Sequence, residues 1–274
     1  MVTLPPGHPG PPEHQPHRAR DMAESFGAEA ARYDRARPRY PDAMVHRLVA
    51  ASPGPDVLDV GCGTGIAARQ FRAAGCRVLG VEPDARMADF ARAQGLEVEV
   101  ARFEEWDRAG RTFDAVIAGQ AWHWVDPLAG ARSSARALRP GGRFAVFWNA
   151  MQLPPEVEDA FAEVYQRVLP DMPILRGMTA GAEAYSAICT RAEEGLHSSD
   201  SFTDLDRWQF PWPRTYTRDE WVDGLPTAGI STRLPTTTMN ELITDIGEAI
   251  DNIGGTFTMH YTTVVLTAQR TDTT

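Results

Sequence analysis

The sequence contains no lysine, since all 27 residues counted as Lys plus Arg are arginines. Schiff-base chemistry with pyridoxal phosphate or aldol substrates is therefore excluded, because it needs a lysine amine. The phosphate-binding lysine of P-loop proteins and protein kinases is missing as well, and so is a serine–lysine hydrolytic pair. Any cation that this chain offers to a carboxylate must be an arginine or a protonated histidine.

Cysteine is also scarce, with three residues at unrelated spacings, Cys62, Cys76 and Cys189. This pattern fits neither a disulfide framework nor a zinc site. No run of about 18 apolar residues is present that would span a membrane, and the N-terminus lacks the apolar segment of a secretion signal. We therefore expect a reduced, cytoplasmic protein with no metal site and no membrane partner.

Positive charge is unevenly distributed along the chain, whose formal net charge is -10. Residues 1–148 hold 19 arginines and 18 acidic residues, whereas residues 149–274 hold 8 arginines and 19 acidic residues. Nucleic acid repels a protein of this balance, so we expect no nucleic-acid partner. The acidic second half either serves only for solvation or disfavours a strongly anionic substrate.

The chain is long enough for a sizeable buried core and divides into four predicted segments. Six prolines fall within the first 17 residues, which indicates a disordered, Pro-rich tail over residues 1–20. Residues 21–149 are predicted to form a ligand-binding domain, and residues 150–205 an inserted helical cap. Residues 206–274 then complete the sheet.

Short apolar strands alternate with alanine-rich helices through the first half of the chain. Such alternation predicts parallel strands covered by helices on both faces, and right-handed crossovers make the sheet doubly wound. The fold class is therefore α/β. Strands are predicted at residues 57–61, 77–82, 97–101, 113–118, 143–148, 208–213 and 256–268. Helices are predicted at residues 22–34, after Pro41, and at 66–74, 84–93, 127–138, 217–228 and 239–253, with a turn at 139–142.

The strongest local signal is the segment VLDVGCGTG at residues 57–65. Asp59 and Gly61 stand at the carboxyl end of the first strand, where open α/β sheets bind their ligands. Gly61, Gly63 and Gly65 carry no Cβ atom, so the backbone can approach a ligand closely and adopt positive φ. The loop then enters a helix, whose N-terminus favours an anionic group.

A carboxylate at the end of the second strand, Glu82, suits the two vicinal hydroxyls of a ribose. Two kinds of nucleotide ligand have such a ribose. A dinucleotide-binding turn has the spacing G-x-G-x-x-G, but counting from Gly61 places Ile66 at the last position. The observed spacing is instead G-x-G-x-G, with Asp59 two residues before it, and this resembles the glycine loop of class I S-adenosylmethionine-dependent methyltransferases.

Three further segments resemble the same family, in the order in which its members carry them. They are VLGVEPDARM (78–87), FDAVIAGQAWHWVDP (113–127) and ALRPGGRFAVFWN (137–149). With FGAEAARYDRARPRYP (26–41), they resemble a small-molecule branch that includes trans-aconitate methyltransferases and type 11 methyltransferases of actinobacteria. The resemblance implies a Rossmann-like fold with a mostly parallel, seven-stranded sheet, an N-terminal helical lid and S-adenosylmethionine as cofactor.

The resemblance also implies which residues contact this cofactor. The glycine loop would wrap the methionine and ribose parts, Glu82 would hold the ribose, and residues after the second and third strands would flank the adenine. Arg37 would bind the cofactor carboxylate, because a guanidinium binds carboxylates bidentately, or it would pair with Asp34. The implied cofactor-binding residues are Tyr33, Arg37, Tyr40, Asp59, Gly61, Gly63, Gly65, Glu82, Pro83, Phe103, Glu104, Gln120 and Ala121.

His123 is the candidate catalytic residue, because it follows the fourth strand and has an ordinary pKa near working pH. It would act as a general base towards a hydroxyl or amine, or it would be a packed, hydrogen-bonded histidine beneath the pocket. Five aromatic residues of the second half would line a substrate pocket or fill the core of the cap, and we favour the core for most of them. They are Tyr165, Tyr185, Trp208, Trp212 and Tyr216.

The sequence therefore predicts an S-adenosylmethionine-dependent methyltransferase that acts on a small molecule by in-line transfer to an O, N or carboxylate acceptor. The alternatives are a protein that binds the cofactor without catalysis and an NAD-dependent oxidoreductase. Either a monomer or a homodimer is compatible with the sequence.

Overall fold

The structure is a computed structural model that describes residue 27 and residues 29–170, 185–228 and 234–271. The predicted tail at residues 1–20 lies outside these residues. The helices are α1 (Ala30–Ala36), α2 (Asp42–Ala50), α3 (Ile66–Ala73), α4 (Ala85–Ala93), α5 (Pro127–Ala137), α6 (Pro155–Val168), α7 (Ser186–His197), α8 (Arg218–Gly224) and α9 (Thr236–Asn252). The strands are β1 (Asp56–Val60), β2 (Arg77–Glu82), β3 (Glu97–Val100), β4 (Phe113–Gly119), β5 (Leu138–Gln152), β6 (Phe202–Thr217) and β7 (Thr256–Arg270).

All seven strands join one sheet, in the order β3-β2-β1-β4-β5-β7-β6. The strands β1 to β5 pair in parallel, with Leu58 of β1 opposite Leu79 of β2 on one side and Val116 of β4 on the other. The strand β7 runs antiparallel between β5 and β6. The prediction of a doubly wound, mostly parallel, seven-stranded α/β sheet is therefore confirmed.

Helices cover both faces of the sheet because successive residues of its buried strands point to opposite faces. In β4, Val116 and Ala118 pack into the core beneath α5 and α7. Ala115 and Ile117 pack into the core beneath α2 and α3 on the other face. This alternation explains why β4 consists almost entirely of buried residues.

The N-terminal helix ends later than predicted, and its predicted start at residue 22 lies outside the described residues. Within the described residues, this helix runs from Ala30 to Ala36, whereas the sequence predicts its end at residue 34. Arg37 is extended, with φ -70° and ψ 141°, because the following Pro38 disfavours helical backbone at the residue before it.

The prediction of a turn at residues 139–142 is only partly correct, because these residues already belong to the fifth strand, which begins at Leu138. Phe113 of β4 lies opposite Leu138, and Ala115 lies opposite Arg143. The four intervening residues of β5 therefore form an irregularity in the ladder, where Gly141 has φ +72°. Such bulges add residues to one strand without ending its pairing.

The last strands are much longer than predicted, and they carry a third hydrophobic core. The strand β6 has 16 residues and β7 has 15, whereas the sequence predicts 208–213 and 256–268. Phe161 of α6, Ile246 of α9 and Phe257 of β7 belong to this third core. It lies where β5, β6 and β7 extend beyond the parallel strands, and the division into a cap at 150–205 and a C-terminal segment stays a prediction.

Among the described residues, no helix has the length and apolar character needed to cross a membrane.

Candidate functional site

A cavity of about 620 Å³ opens at the carboxyl ends of β1, β2 and β4. This is where the strand order reverses on either side of β1, the usual ligand site of open α/β sheets. Its volume lies within the range of small-molecule sites. Every residue predicted to bind a cofactor lines it except Gly65, and His123 lines it too.

The glycine loop between β1 and α3 has left-handed backbone at all three glycines. The φ angles are +64° at Gly61, +55° at Gly63 and +86° at Gly65. A Cβ atom at Gly61 would lie 2.6 Å from the Cβ of Ala121, whereas one at Gly63 would meet nothing within 4 Å. Gly61 therefore allows the close approach of Ala121, and Gly63 leaves space beside the backbone at the wall of the cavity.

Gly65 does not line the cavity and instead serves packing, so its contact with a ligand stays a prediction. It is the N-cap residue of α3, and a Cβ atom there would lie 2.1 Å from Cδ1 of Leu96. Its N–H donates to the carbonyl of Cys62 at 2.8 Å. The third glycine of the motif thus closes the turn and lets α3 approach the residues before β3.

Gly65→Ala is expected to destabilise the protein by ~3 kcal/mol, because it adds left-handed strain and a clash with Leu96. Gly75→Ala is the matched control: Gly75 has φ +93°, and a Cβ atom there would meet nothing within 4 Å. It should cost only ~1 kcal/mol. Urea unfolding measures both, and equal losses would contradict the packing role of Gly65.

Glu82 is buried at the end of β2, with both carboxylate oxygens fixed by the backbone. Oε2 accepts from the N–H of Gly63 at 2.8 Å, and Oε1 accepts from the N–H of Asp84 at 2.9 Å. A carboxylate has about four acceptor positions, so each oxygen retains capacity for another donor. The bond to Gly63 also ties the end of β2 to the glycine loop.

Asp59 lies fully buried at the end of β1, and its carboxylate is unsatisfied. Neither oxygen has a hydrogen-bond partner of good geometry among the described residues. Burial raises the pKa of Asp59 to about 8, with Glu82 adding to the rise, while the Ala68 N–H opposes it. An unpaired buried carboxylate is costly, so this position favours a ligand that carries a positive charge or a donor.

The next wall of the cavity comes from the residues after β2 and β3. Pro83 and Phe103 line it, and Phe103 packs against Trp106 and Trp122. Glu104 also lines the cavity, but its Oε1 accepts from the N–H of Asp126 at 2.9 Å. It therefore also anchors the start of α5.

Gln120 and Ala121 follow β4 directly and line the cavity. Gln120 has φ +55°, which is unusual for a residue other than glycine and often marks a functional site. Its N–H donates to the carbonyl of Phe147 at 2.9 Å, and its side chain hydrogen-bonds Tyr185. Gln120 thereby links the sheet to α7.

Three predicted residues of the N-terminal segment form the roof above the glycine loop. Tyr40 packs edge-on against Phe147 with ring centroids 4.6 Å apart. Tyr33 lies 4.9 Å from the guanidinium of Arg37. Arg37 donates to the carbonyl of Thr227, and no carboxylate among the described residues pairs with it.

Salt bridges hold this roof to α8. Arg32 contacts Asp223 at 3.2 Å, and Arg35 contacts the same carboxylate at 2.8 Å. The arginine pair and the carboxylate are partly exposed, so the clamp contributes modestly to stability. It nevertheless brings the N-terminal roof and the C-terminal part of the chain to the same cavity.

His123 lies in a short 3₁₀ turn after β4, and its contacts disfavour the role of a general base. The indole N–H of the fully buried Trp148 donates to its Nδ1 at 3.3 Å. An indole nitrogen can only donate, so Nδ1 carries no proton and Nε2 carries the proton of the neutral ring. Burial lowers the pKa of His123 to about 4, which keeps the ring neutral.

The aromatic residues of the second half divide between cavity and core, whereas the sequence favours the core for most of them. Tyr165, Tyr185 and Tyr216 line the cavity. Trp208 instead packs against the guanidinium of Arg47, 3.9 Å from the ring centroid. Trp212 stacks on Tyr261 at 4.6 Å and donates to the hydroxyl of Thr263.

Several cavity residues carry no signal in the sequence. Tyr261 of β7 lines the cavity, and its hydroxyl lies 2.7 Å from that of Tyr216. Asn149 of β5 lines it as well, held by hydrogen bonds with the carbonyl of Arg39 and the hydroxyl of Thr263. The segment FWN could have indicated Asn149, because it lies where the parallel pairing of β5 with β4 ends.

Comparison with known proteins identifies the type of domain. Residues 58–146 match the family described as "Methyltransferase domain". An uncharacterized methyltransferase of Mycobacterium tuberculosis is 41% identical over 133 residues, which are 47% of this chain and 54% of that relative. The matched region thus spans about half the length of this relative. The resemblance of this part of the chain to methyltransferases, including actinobacterial ones, is therefore confirmed.

Solved structures share the fold over most of the chain. A putative type II methyltransferase from Anaeromyxobacter dehalogenans has a TM-score of 0.62 at 24% identity, over 85% of this chain and 97% of that one. Phosphoethanolamine N-methyltransferase 2 of Haemonchus contortus, in complex with S-adenosyl-L-methionine, has a TM-score of 0.50 at 16% identity, over 95% and 61%. At these identities the comparison supports the Rossmann-like methyltransferase fold alone.

Proposed function

We propose that this chain is an S-adenosylmethionine-dependent methyltransferase that acts on a small molecule. The observation that carries the proposal is a pair of buried carboxylates beside the glycine loop. Backbone hydrogen bonds hold one of them, whereas the other is unsatisfied. Glu82 accepts two backbone hydrogen bonds and keeps acceptor capacity, whereas Asp59 has no good partner among the described residues. A ligand with a ribose and a positive charge complements both of them.

The residues of the cavity fit this cofactor in their chemistry. Glu82 would hold the ribose hydroxyls, and Gly61 and Gly63 would let the backbone approach the methionine part. Pro83 and Phe103 offer flat apolar surfaces suited to adenine. Asp59 would complement the amino group or order the loop.

When bound, the cofactor supplies a methyl group on a sulfonium, which is already activated for displacement by its positive charge. The chain then has to exclude water and hold an acceptor atom about 3 Å from the methyl carbon, in line with the sulfur. The roof of Tyr33, Arg37 and Tyr40, together with α7 and α8, encloses the cavity for this purpose. A small molecule suits its volume of about 620 Å³.

Ligand-induced stabilisation tests the proposal. S-adenosylhomocysteine at 100 times its dissociation constant should add ~2.7 kcal/mol of stability, which raises the melting temperature by about 5–10 °C for a chain of this size. NAD at the same concentration should leave it unchanged, because the loop lacks a third glycine at the dinucleotide spacing. A shift with NAD and none with S-adenosylhomocysteine would overturn the proposal.

A further inference from the structure

The carboxylates that line the cavity are poorly suited to removing a proton from an acceptor. Glu82 and Glu104 accept backbone hydrogen bonds, and Glu220 accepts from the N–H and hydroxyl of Thr217 in the capping box of α8. Asp59 lies buried at the end of β1 beside the glycine loop. Glu82, Glu104 and Glu220 therefore already have structural roles, and the proposed function assigns Asp59 to the cofactor.

Several other polar groups of the cavity are hydrogen-bond donors. Trp148 fixes His123 as the tautomer with its proton on Nε2. Burial raises the pKa of Tyr185, and it raises the pKa of Tyr165 to about 12, so both keep their hydroxyl protons near neutral pH. The hydroxyls of Tyr216 and Tyr261 share one hydrogen bond. Apart from Asp59, which the proposed function assigns to the cofactor, the described part of the cavity thus offers protons and no carboxylate without a structural role.

Much of the cavity wall outside the glycine loop is aromatic. We call it the tyrosine half, and it comprises Tyr33, Tyr165, Tyr185, Tyr216, Trp221 and Tyr261. Rings of this kind bind flat apolar molecules through their faces and edges. Its members come from α1, α6, α7, α8, β6 and β7, so the fold assembles them from distant parts of the sequence.

Two arginines lie beside these rings: Arg214 packs 4.3 Å from the ring centroid of Tyr216 but does not line the cavity, whereas Arg37 lines it. The charge of Arg37 is not balanced by a carboxylate within the described residues. It interacts electrostatically with Tyr185, Tyr216 and Tyr261, which places it beside the tyrosine half. A single arginine complements a single negative charge. The residues after 148, which provide most of this region, carry 8 arginines against 19 acidic residues, and this excess repels a polyanion.

We infer that the methyl acceptor is a planar, mainly apolar molecule with one acidic hydroxyl on an aromatic or conjugated ring, which the cavity receives as the oxyanion. This inference rests on the proposed function and specifies its substrate class. The tyrosine half contacts the ring, and the Nε2–H of His123 donates to an oxygen of the acceptor. In this inference Arg37 balances the charge of the acceptor rather than that of the cofactor carboxylate, which is the role that the resemblance implies. His123 is thus a positioning residue.

The chemistry of this acceptor balances without a base. An electron pair of the oxyanion forms the new bond to the methyl carbon, and the pair of the broken carbon–sulfur bond returns to sulfur. The negative charge of the acceptor and the positive charge of the sulfonium disappear together, and no proton moves. An aliphatic alcohol would need a proton acceptor that the described part of the cavity does not supply, and an amine would become positively charged beside Arg37.

Binding to protein saturated with S-adenosylhomocysteine tests the substrate class without turnover. Calorimetry and quenching of tryptophan fluorescence should detect 4-nitrophenol, whereas benzylamine and propane-1,2,3-tricarboxylate should bind at least tenfold more weakly. If S-adenosylhomocysteine itself does not bind, the proposed function fails. If it binds and the amine or tricarboxylate binds better than the phenol, only the present inference is overturned.

Turnover with phenols of graded acidity tests the absence of a base. The pH at which the rate is half-maximal should follow the pKa of each phenol, because the substrate itself provides the ionisable group. A midpoint that is the same for all phenols would assign the titration to the protein and contradict the inference.

Variants of His123 separate donation from proton removal. His123→Gln retains an N–H at the reach of Nε2 and should keep kcat/KM within about threefold, whereas His123→Phe should lower it at least tenfold. Both should bind S-adenosylhomocysteine as the parent does, and the exposed His46→Gln serves as the control. If His123→Gln loses turnover but still binds S-adenosylhomocysteine as the parent does, His123 acts as a base and its role as a donor is contradicted.

Discussion

Replacing Glu82 by glutamine is expected to weaken binding of S-adenosylhomocysteine about 100-fold, which corresponds to ~2.7 kcal/mol. The carboxylate accepts from the N–H groups of Gly63 and Asp84, and an amide would turn its NH₂ group towards one of them. The variant also loses the charge that strengthens hydrogen bonds from ribose hydroxyls, each worth ~1.5–3 kcal/mol. Isothermal titration calorimetry gives the two dissociation constants.

Glu105→Gln is the matched control for this experiment. Glu105 belongs to the same short 3₁₀ turn as Glu104 and is exposed, so its variant should bind S-adenosylhomocysteine as the parent does. Urea unfolding of Glu82→Gln shows whether the loop remains folded. A folded Glu82→Gln that binds within threefold of the parent would contradict the ribose contact.

The predictable part of the site consists of residues that follow parallel strands in short linear motifs. Asp59, Gly61 and Glu82 end β1 and β2, so strand pairing alone brings them to one edge of the sheet. The tyrosine half has no such motif. Tyr216 and Tyr261 meet only because β6 and β7 pair over their whole length, with Tyr216 opposite Phe257 and Tyr261 opposite Trp212, and such long-range pairing has no local signature.

Proline explains why the predicted strand ends at residue 213, whereas β6 continues to Thr217. Pro211 and Pro213 interrupt the pattern of a strand, because each lacks an N–H for the ladder. The strand β6 lies at the edge of the sheet, where one side of its backbone needs no partner. An edge strand therefore tolerates residues that end a central strand.

The left-handed backbone of Gln120 is a second feature that local preferences miss. Glycine or asparagine would be expected at φ +55°, yet a glutamine stands there and hydrogen-bonds Tyr185. The bond from its N–H to the carbonyl of Phe147 helps to hold this conformation. Tertiary contacts, rather than the residue's own preference, thus determine the backbone at the end of β4.

The absence of lysine fits the site, because its cationic contacts use the planar geometry of arginine. Arg35 donates through Nε and an Nη atom to both oxygens of Asp223, a bidentate contact that lysine cannot make. Arg37 combines a hydrogen bond to Thr227 with a contact to the ring of Tyr33. Contacts of arginine side chains therefore hold the roof over the cavity in place.

Asp59→Asn is expected to stabilise the ligand-free protein while it weakens binding of S-adenosylhomocysteine at least tenfold. The folded-state pKa of Asp59, about 8, exceeds its ordinary value of 3.8. The group therefore contributes stability that is complete below pH 3.8 and is lost as the pH rises through 8. The isosteric amide removes this loss, but it also removes the charge that complements a cationic ligand.

The pH dependence of the free energy of unfolding distinguishes the contribution of Asp59 from those of other buried groups. The pKa of His123 is lowered to about 4 from 6.5, so its contribution to stability changes only below pH 6.5. Between pH 6.5 and 8.5 the free energy of unfolding should fall with pH, with a slope from Asp59 of at most ~1.4 kcal/mol per pH unit. The slope should flatten in Asp59→Asn and persist in the exposed control Asp89→Asn.

Ligand binding should also change the protonation of Asp59. Near neutral pH the carboxyl of Asp59 is largely protonated in the free protein, and a nearby positive charge on the ligand favours its ionised form. Calorimetry in buffers of different ionisation enthalpy should therefore detect release of up to one proton when S-adenosylhomocysteine binds at pH 7. Asp59→Asn should abolish the release, and equal proton release in the parent and the variant would show that Asp59 does not respond to the ligand.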